Sequence, residues 1–151
     1  MKDVLLILFG FLLALLPELL RRRKKLSVHW AALKAEAILC KEMAETYLND
    51  NIKAPLYRLP TQAFSHSFPV LLAEGAVKEN EVRELESFFG WVQDINRGLD
   101  NANECLVSGN LERIDRESLR LQHKTNELLR EVKGKPAYLD RAMTVINKYV
   151  K

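Results

Sequence analysis

The sequence contains few of the residues from which metal sites, phosphate loops and disulfide frameworks are built. Its 151 residues include two cysteines, three histidines and six scattered glycines. Two cysteines are too few for a disulfide framework, and no C-x-x-C, H-E-x-x-H or E-x-x-H spacing occurs. The glycines form no phosphate-binding loop. We therefore predict no metal, no cofactor and no catalytic site, and we interpret Cys40 and Cys105 as buried, reduced thiols within apolar patterns.

An excess of positive charge is also missing from most of the chain. Residues 1–25 contain six cations and two acids, whereas residues 26–151 contain 17 cations and 18 acids. A protein that binds a nucleic-acid duplex needs a basic face that replaces condensed counterions. The basic pI of about 8.9 therefore comes from one short segment, and we predict no nucleic-acid partner.

That segment follows a long apolar run at the amino terminus. No charged or polar side chain occurs between Val4 and Leu16, whereas a core helix of a globular protein would show polar residues at helical spacing. A signal peptide is disfavoured because no A-x-A-like cleavage site follows the run. We predict a transmembrane anchor over residues 1–25. Its basic cluster, which contacts the membrane surface and stops transfer, consists of Arg21, Arg22, Arg23, Lys24 and Lys25.

The positive-inside rule predicts the orientation of this anchor. Cations stay on the cytoplasmic side, which places the amino terminus outside and the rest of the chain in the cytoplasm of a plasma or bacterial inner membrane. The 17 residues from Val4 to Leu20 would span about 25 Å as a helix, slightly less than the apolar core of a bilayer. The sequence leaves open whether the run crosses fully or inserts shallowly.

Residues 26–151 show the periodicity of amphipathic helices and no strand pattern. We predict a first helix over 26–50 that continues from the anchor or begins after it, and that ends in "NDNIKAP". A short helix to Glu74 follows, with Thr61 as its cap and Gly75 as a left-handed stop, and Pro69 kinks or divides it. The third helix is predicted over 79–107, the fourth from Leu111 to the "KGKP" segment, and the fifth from Pro136 to Val150. The fold class is therefore all-α, a single transmembrane helix followed by an antiparallel bundle of four to five helices, in which the three-residue "SGN" link makes a hairpin.

One polar cluster on the third helix has two interpretations. It lies in "WVQDINRGLDNANE" and contains Asp94, Asn96, Arg97 and Asp100 around Gly98. The structural interpretation is that another backbone approaches Gly98 while Asp94 and Arg97 bind the irregular "YRLPTQ" segment. The functional interpretation is a binding surface. An enzyme would require His66, Arg97 and Asp94 to meet in a cavity.

The segment "LPTQAFSHSFPVLLAEG", with the later "FF" and "NRGLD", resembles uncharacterised single-span helical proteins of the bacterial inner membrane. The resemblance covers about residues 57–101, and its motifs are structural in character. It implies a bacterial inner-membrane setting and supplies no activity.

Two functions fit these observations. The first is a membrane-tethered interaction or scaffold protein whose cytoplasmic bundle binds a protein partner. The second is a protein that self-assembles at the bilayer through its apolar span and basic cluster, for which Gly10 and Ala14 offer one small-xxx-small pair. Neither requires a small-molecule substrate.

Overall fold

The computed structural model describes the backbone of residues 2–49 and 58–150 and the side chains of residues 14–49, 58–110 and 112–150. This part of the chain forms five helices and no strand beyond one isolated bridge. The helices are α1 (Lys2–Asn49), α2 (Gln62–Ala73), α3 (Glu79–Val107), α4 (Leu111–Leu129) and α5 (Tyr138–Ile146). The prediction of an all-α helical bundle is confirmed.

Helix α1 runs without interruption across the predicted boundary between residues 25 and 26. Its 48 residues correspond to a length of about 72 Å. The second half packs into the bundle through the stripe that the periodicity predicts, in which Trp30, Leu33, Ala37, Cys40 and Ala44 are buried. The predicted end of this helix in "NDNIKAP" falls mostly on residues 50–57, which lie outside the described residues.

In the part of the chain that the structure describes, no helix combines the length and the apolar character that a membrane crossing requires. The apolar run of the predicted anchor falls mostly on residues 4–13, whose side chains lie outside the described set.

Helix α2 runs antiparallel to α1. His29 faces Ser67 at 3.1 Å, and the Cys40 thiol donates a hydrogen bond to the Pro60 carbonyl at 3.3 Å. Of the two outcomes predicted at Pro69, a kink or a division, the division does not occur, because α2 is one helix that includes Pro69. It ends as predicted at a left-handed glycine: Gly75 has φ of 63°, and the following Ala76 N–H donates to the Leu71 carbonyl.

Helices α3 and α4 form the predicted antiparallel hairpin. Gly109 has φ of 70°, and the Asn110 side chain caps α4 by accepting a hydrogen bond from the Arg113 N–H at 3.2 Å. Helix α3 has the predicted bounds. Its buried Phe88 and Phe89 pack edge to face, and Phe89 stacks on Phe64 of α2.

The end of α4 and both ends of α5 differ from the prediction. Helix α4 ends at Leu129, because residues 132–135 form a tight turn in which Val132 and Lys135 exchange two backbone hydrogen bonds. Lys133 and Gly134 both have positive φ in this turn, so neither residue can continue a right-handed α-helix. Helix α5 begins at Tyr138 rather than Pro136 and ends at Ile146.

The packing of α4 against the core differs between its two ends. Thr125 is buried and donates its hydroxyl hydrogen bond to the Leu121 carbonyl of the same helix at 2.8 Å. Among the described residues of α4, only Thr125 and Leu128 are buried. The helix therefore covers the core with its last turns, and its first turns lie at the edge of the bundle.

Candidate functional site

The polar residues of α3 divide between two sides of the helix. Asn96 and Asp100 face the segment before α2. The Asn96 amide bonds to both backbone groups of Leu59, with its Oδ1 accepting from N–H and its Nδ2 donating to the carbonyl, each at 2.8 Å. Asp100 pairs with Arg58 at 2.7 Å. Within its described residues, 58–62, the irregular segment is therefore held by Asn96 and Asp100, and not by Asp94 and Arg97 as the structural interpretation expects.

Asp94 and Arg97 face α4 instead. One Asp94 oxygen is 2.8 Å from Arg97 Nη2, and the other is 3.2 Å from Lys124 Nζ. The Lys124 side chain is only 16% exposed, and its ammonium lies 5.5 Å from the centre of the Trp91 ring. Trp91 in turn donates its indole hydrogen bond to the Lys124 carbonyl at 2.8 Å. The Asp94 carboxylate therefore fixes two cations on the same side of the hairpin.

Gly98 lies on the side of α3 that faces α4, and its role differs from the predicted one. A Cβ at this position would lie 2.6 Å from Leu121 Cδ2. The group that approaches Gly98 is therefore the side chain of Leu121 on α4 and not another backbone. The missing Cβ lets α3 and α4 pack closely at this level.

Next to this contact the two helices enclose a cleft of about 290 Å³. We call it the α3–α4 cleft. It is lined by Asp94, Arg97, Gly98 and Asn101 of α3 and by Arg120, Leu121 and Lys124 of α4. Three cations and one carboxylate line it, so the cleft has a net positive charge. It could hold an anion, and its side chains include no thiol, hydroxyl or imidazole that could act as a nucleophile or base.

The other predicted member of a catalytic cluster, His66, lies elsewhere. It is exposed on α2, and within the described residues it forms no hydrogen bond or ion pair with the α3 residues. The convergence of His66, Arg97 and Asp94 that an enzyme would require is therefore absent from the contacts of the described chain. Nor do the described residues contain a group of histidine, cysteine or acidic side chains that could hold a metal ion.

The basic cluster is partly occupied by a contact within the protein. Arg22 Nε is 2.9 Å from a Glu74 carboxylate oxygen, its Nη2 donates to the Glu74 carbonyl at 3.0 Å, and Lys25 Nζ reaches the other carboxylate oxygen at 3.4 Å. The hydrogen bond from Lys25 and the charge of Arg22 lower the pKa of Glu74. Arg21, Arg23 and Lys24 are exposed and make no ion pair within the described residues.

A buried carboxylate joins α3 to the carboxyl-terminal turn. Glu81 is 2% exposed and accepts hydrogen bonds from Lys78 N–H (3.0 Å), Lys148 Nζ (3.1 Å) and Tyr149 OH (2.7 Å). Burial alone would raise the pKa of Glu81, but these hydrogen bonds outweigh it and lower the pKa. Burial and the same carboxylate raise the pKa of Tyr149 to about 12, and its ring stacks on Trp30 at 4.3 Å. This network is internally satisfied and structural.

Both cysteines are free and buried, as predicted. Burial and the nearby Glu36 raise the pKa of the Cys40 thiol to about 12. The thiolate that nucleophilic or redox chemistry requires is therefore scarce at neutral pH.

Helix α1 has an exposed apolar face opposite its buried stripe. Val28, Ala31, Ala35 and Ile38 recur at steps of three and four, and all four are exposed. Val28 is 61% exposed and Ile38 is 40% exposed. We call this face the α1 seam. Its spacing is that of the core positions of a coiled coil.

The sequence analysis did not predict several residues of these sites. Arg120 and Lys124 were not linked to Asp94, although the "SGN" hairpin brings antiparallel positions of α3 and α4 together. Counting outward from that turn pairs Gly98 approximately with Leu121, which is a usable signal. No comparable signal links Glu74 to Arg22, because that contact depends on how α2 packs along α1.

No protein-family model, no curated protein and no solved structure matches this chain.

Proposed function

We propose that the protein is a membrane-tethered interaction protein whose cytoplasmic helical bundle binds a protein partner through the α1 seam. The observation that carries the proposal is the continuity of α1. The same helix contains the apolar run at one end, the buried stripe that packs into the core at the other, and the exposed seam on the face opposite that stripe.

The anchor part of this proposal rests on the sequence. The uninterrupted apolar residues from Val4 to Leu16 and the five cations after them are typical of a single span with a cytoplasmic stop-transfer cluster. Arg22 and Lys25, bound to Glu74, fasten the bundle at the point where α1 would leave the bilayer. Arg21, Arg23 and Lys24 keep their charges available for anionic lipid headgroups.

The choice of a protein partner rests on the α1 seam. Apolar side chains at this spacing gain free energy when another helix covers them. The seam is bounded by Lys24 at one end and Glu42 at the other, at positions that continue the same three-four spacing. A helix with an acidic residue near Lys24 and a basic residue near Glu42 would complement it.

Self-assembly is the second candidate function. Two copies in one membrane would pair their α1 seams in parallel, which places Lys24 next to Lys24 and Glu42 next to Glu42. Like charges at facing positions oppose such pairing. The apolar side chains of the seam would be covered equally well by a second copy or by another protein. The charges at its two ends favour another protein, whose sequence can place opposite charges there.

Site-specific photo-crosslinking in native membranes tests the proposal. A photoreactive residue at Ala35 should crosslink to a protein of different mass, and the added substitution Val28→Glu should abolish that product. A photoreactive residue at Arg116, which is exposed on α4, is the matched control and should not yield the same product. A product of twice the mass of the chain would support self-assembly instead, and the absence of any product specific to Ala35 would contradict both functions.

A further inference from the structure

We infer that the α3–α4 cleft is a binding site for a small, freely diffusing anion with two or more negative charges, of the phosphate, phosphomonoester or polycarboxylate class. This inference goes beyond the proposed partner binding and does not require it. It rests on the arrangement of Arg97, Arg120, Lys124 and Asn101 around the cleft.

The first step concerns the charge balance within the cleft. Asp94 is the one carboxylate that lines it, and both of its oxygens are already occupied by Arg97 and Lys124. Three lining cations against one lining acid leave an excess of two positive charges, of which Glu117, an acid outside the lining at 4.0 Å from Arg120 Nη1, offsets part. A bound anion would neutralise the remainder.

The second step concerns the donors that have no partner. The nearest acid to Arg120 is Glu117, at 4.0 Å from its Nη1, which is beyond hydrogen-bond distance. The Asn101 amide makes no hydrogen bond within the described chain. Arg97 uses one Nη on Asp94 and keeps further donors for a ligand. Guanidinium groups with free donors match the oxygen geometry of phosphates and carboxylates.

The third step concerns order and size. Asp94 fixes the Arg97 and Lys124 side chains, and Trp91 holds Lys124 from the other side through its ring and its bond to the Lys124 carbonyl. Such ordering before binding lowers its entropic cost. A volume of about 290 Å³ lies at the lower end of the range for ligand pockets. The cleft therefore fits a small metabolite or a single phosphorylated group.

The fourth step distinguishes a free anion from a lipid headgroup. The cleft lies at the level where Asn96 holds Leu59 and where Cys40 bonds to Pro60. Cys40 is 18 residues beyond Arg22 along α1, which corresponds to about 27 Å. If Arg22 lies at the membrane surface as proposed, the headgroups of that membrane are too far away to enter the cleft.

Calorimetric titration of the full chain in nanodiscs of neutral phosphatidylcholine tests the inference, with inorganic phosphate and citrate as probes. We expect saturable binding of at least one of them. Arg120→Gln, which removes a lining cation whose nearest acid is beyond hydrogen-bond distance, should weaken binding about tenfold. The matched control is Arg83→Gln, which removes an exposed α3 cation outside the cleft and should leave binding unchanged.

Three results would overturn the inference. They are the absence of saturable binding, an unchanged affinity in Arg120→Gln, and an equal loss in Arg83→Gln, which would indicate unspecific charge attraction. Anionic vesicles added to the same nanodiscs form a second arm. Vesicle binding that depends on Arg120 while neither soluble anion binds would assign the cleft to headgroups and would also overturn the inference. The titration with soluble anions does not involve the α1 seam, so a failed seam leaves it unchanged; only the exclusion of headgroups rests on the proposed anchor.

Discussion

The side-chain amide of Asn96 pairs with both backbone groups of Leu59, at 2.8 Å for each hydrogen bond. Leu59 is 2% exposed and lies in an irregular segment, where its backbone groups are not part of a helix or a sheet. Its N–H and carbonyl would otherwise be buried without partners. Asn96 therefore substitutes for a neighbouring strand and anchors the segment that leads into α2.

Replacement of this amide should destabilise the fold. Asn96→Ala leaves two backbone groups of Leu59 unsatisfied, and we expect a loss of about 2–3 kcal/mol in the free energy of unfolding. Chemical denaturation followed by circular dichroism measures it. Asn103→Ala, at an exposed α3 position, is the control and should be neutral or slightly stabilising because alanine favours helix. Equal stability of the two variants would show that Leu59 finds other partners.

Glu36 caps α2 across the gap between two helices. Its carboxylate oxygens accept hydrogen bonds from the Ala63 and Phe64 N–H groups, both at 2.7 Å, whereas the Thr61 side chain makes no capping bond. Glu36→Gln turns one acceptor into a donor and removes the charge that favours a helix amino terminus. We expect a loss of about 1–2 kcal/mol in the free energy of unfolding.

The control for Glu36→Gln is the same substitution at Glu42, which is exposed on the same helix and should change stability little. Thermal melts of both variants provide the comparison. If Glu36→Gln has the same melting temperature as the wild type, the carboxylate does not cap α2.

The sequence predicts the helices of this fold but not the side-chain contacts between them. Helix α3 and the buried stripe of α1 follow from periodicity, since apolar spacing decides which face of a long helix is covered. The pairing of Asn96 with Leu59 does not follow from it. Asp94, Asn96, Arg97 and Asp100 were recognised as a cluster, but a rotation of 100° per residue distributes them over different faces. Only the packed neighbours decide which face meets α4 and which meets the irregular segment.

The same limit applies to capping and to helix ends. Thr61 was the expected cap of α2 because local sequence favours threonine there, yet a carboxylate 25 residues earlier performs that role. Helix α4 was expected to reach "KGKP", but the positive φ of Lys133 and Gly134 belongs to a tight turn that starts before it. A turn that requires positive φ therefore ends a helix earlier than the apolar periodicity of its sequence predicts.

The Glu81 network predicts a specific response to acid. The pKa of Glu81 is lowered from its ordinary value of 4.5 in the folded state, so its contribution to stability is complete above 4.5 and is lost as the pH falls through the lowered pKa. Tyr149→Phe removes one of the hydrogen bonds that lower this pKa. We expect acid unfolding of the variant to begin at a higher pH.

Tryptophan fluorescence during an acid titration measures that midpoint. Tyr138→Phe is the matched control, because Tyr138 stacks on Trp91 and its hydroxyl makes no hydrogen bond within the described chain. An acid midpoint of Tyr149→Phe equal to that of the control would show that Tyr149 does not stabilise the Glu81 carboxylate.

Gly98 and Gly90 offer a paired test of the hairpin contact. A Cβ at Gly90 meets nothing within 4 Å, so Gly90→Ala should stabilise the protein by about 0.5–1 kcal/mol through helix propensity. At Gly98 the same gain is opposed by the clash with Leu121, which costs about 1–3 kcal/mol. We therefore expect Gly98→Ala to be less stable than Gly90→Ala, as measured by urea denaturation.

The Leu121→Ala background separates the clash from other effects. There the difference between Gly98→Ala and Gly90→Ala should largely disappear, because the methyl group that meets the new Cβ is gone. A difference that persists in this background would assign the role of Gly98 to something other than Leu121.

The central claim is the membrane tether, with the amino terminus outside and the bundle in the cytoplasm. Labelling of single added cysteines in intact cells by a membrane-impermeant maleimide tests it most directly. Cys40 and Cys105 are buried and provide a low background. The account predicts that Lys2→Cys is labelled in intact cells and that Lys133→Cys, in an exposed turn, is labelled only after the membrane is permeabilised. Labelling of Lys133→Cys in intact cells, or release of the protein from membranes by high salt alone, would contradict it.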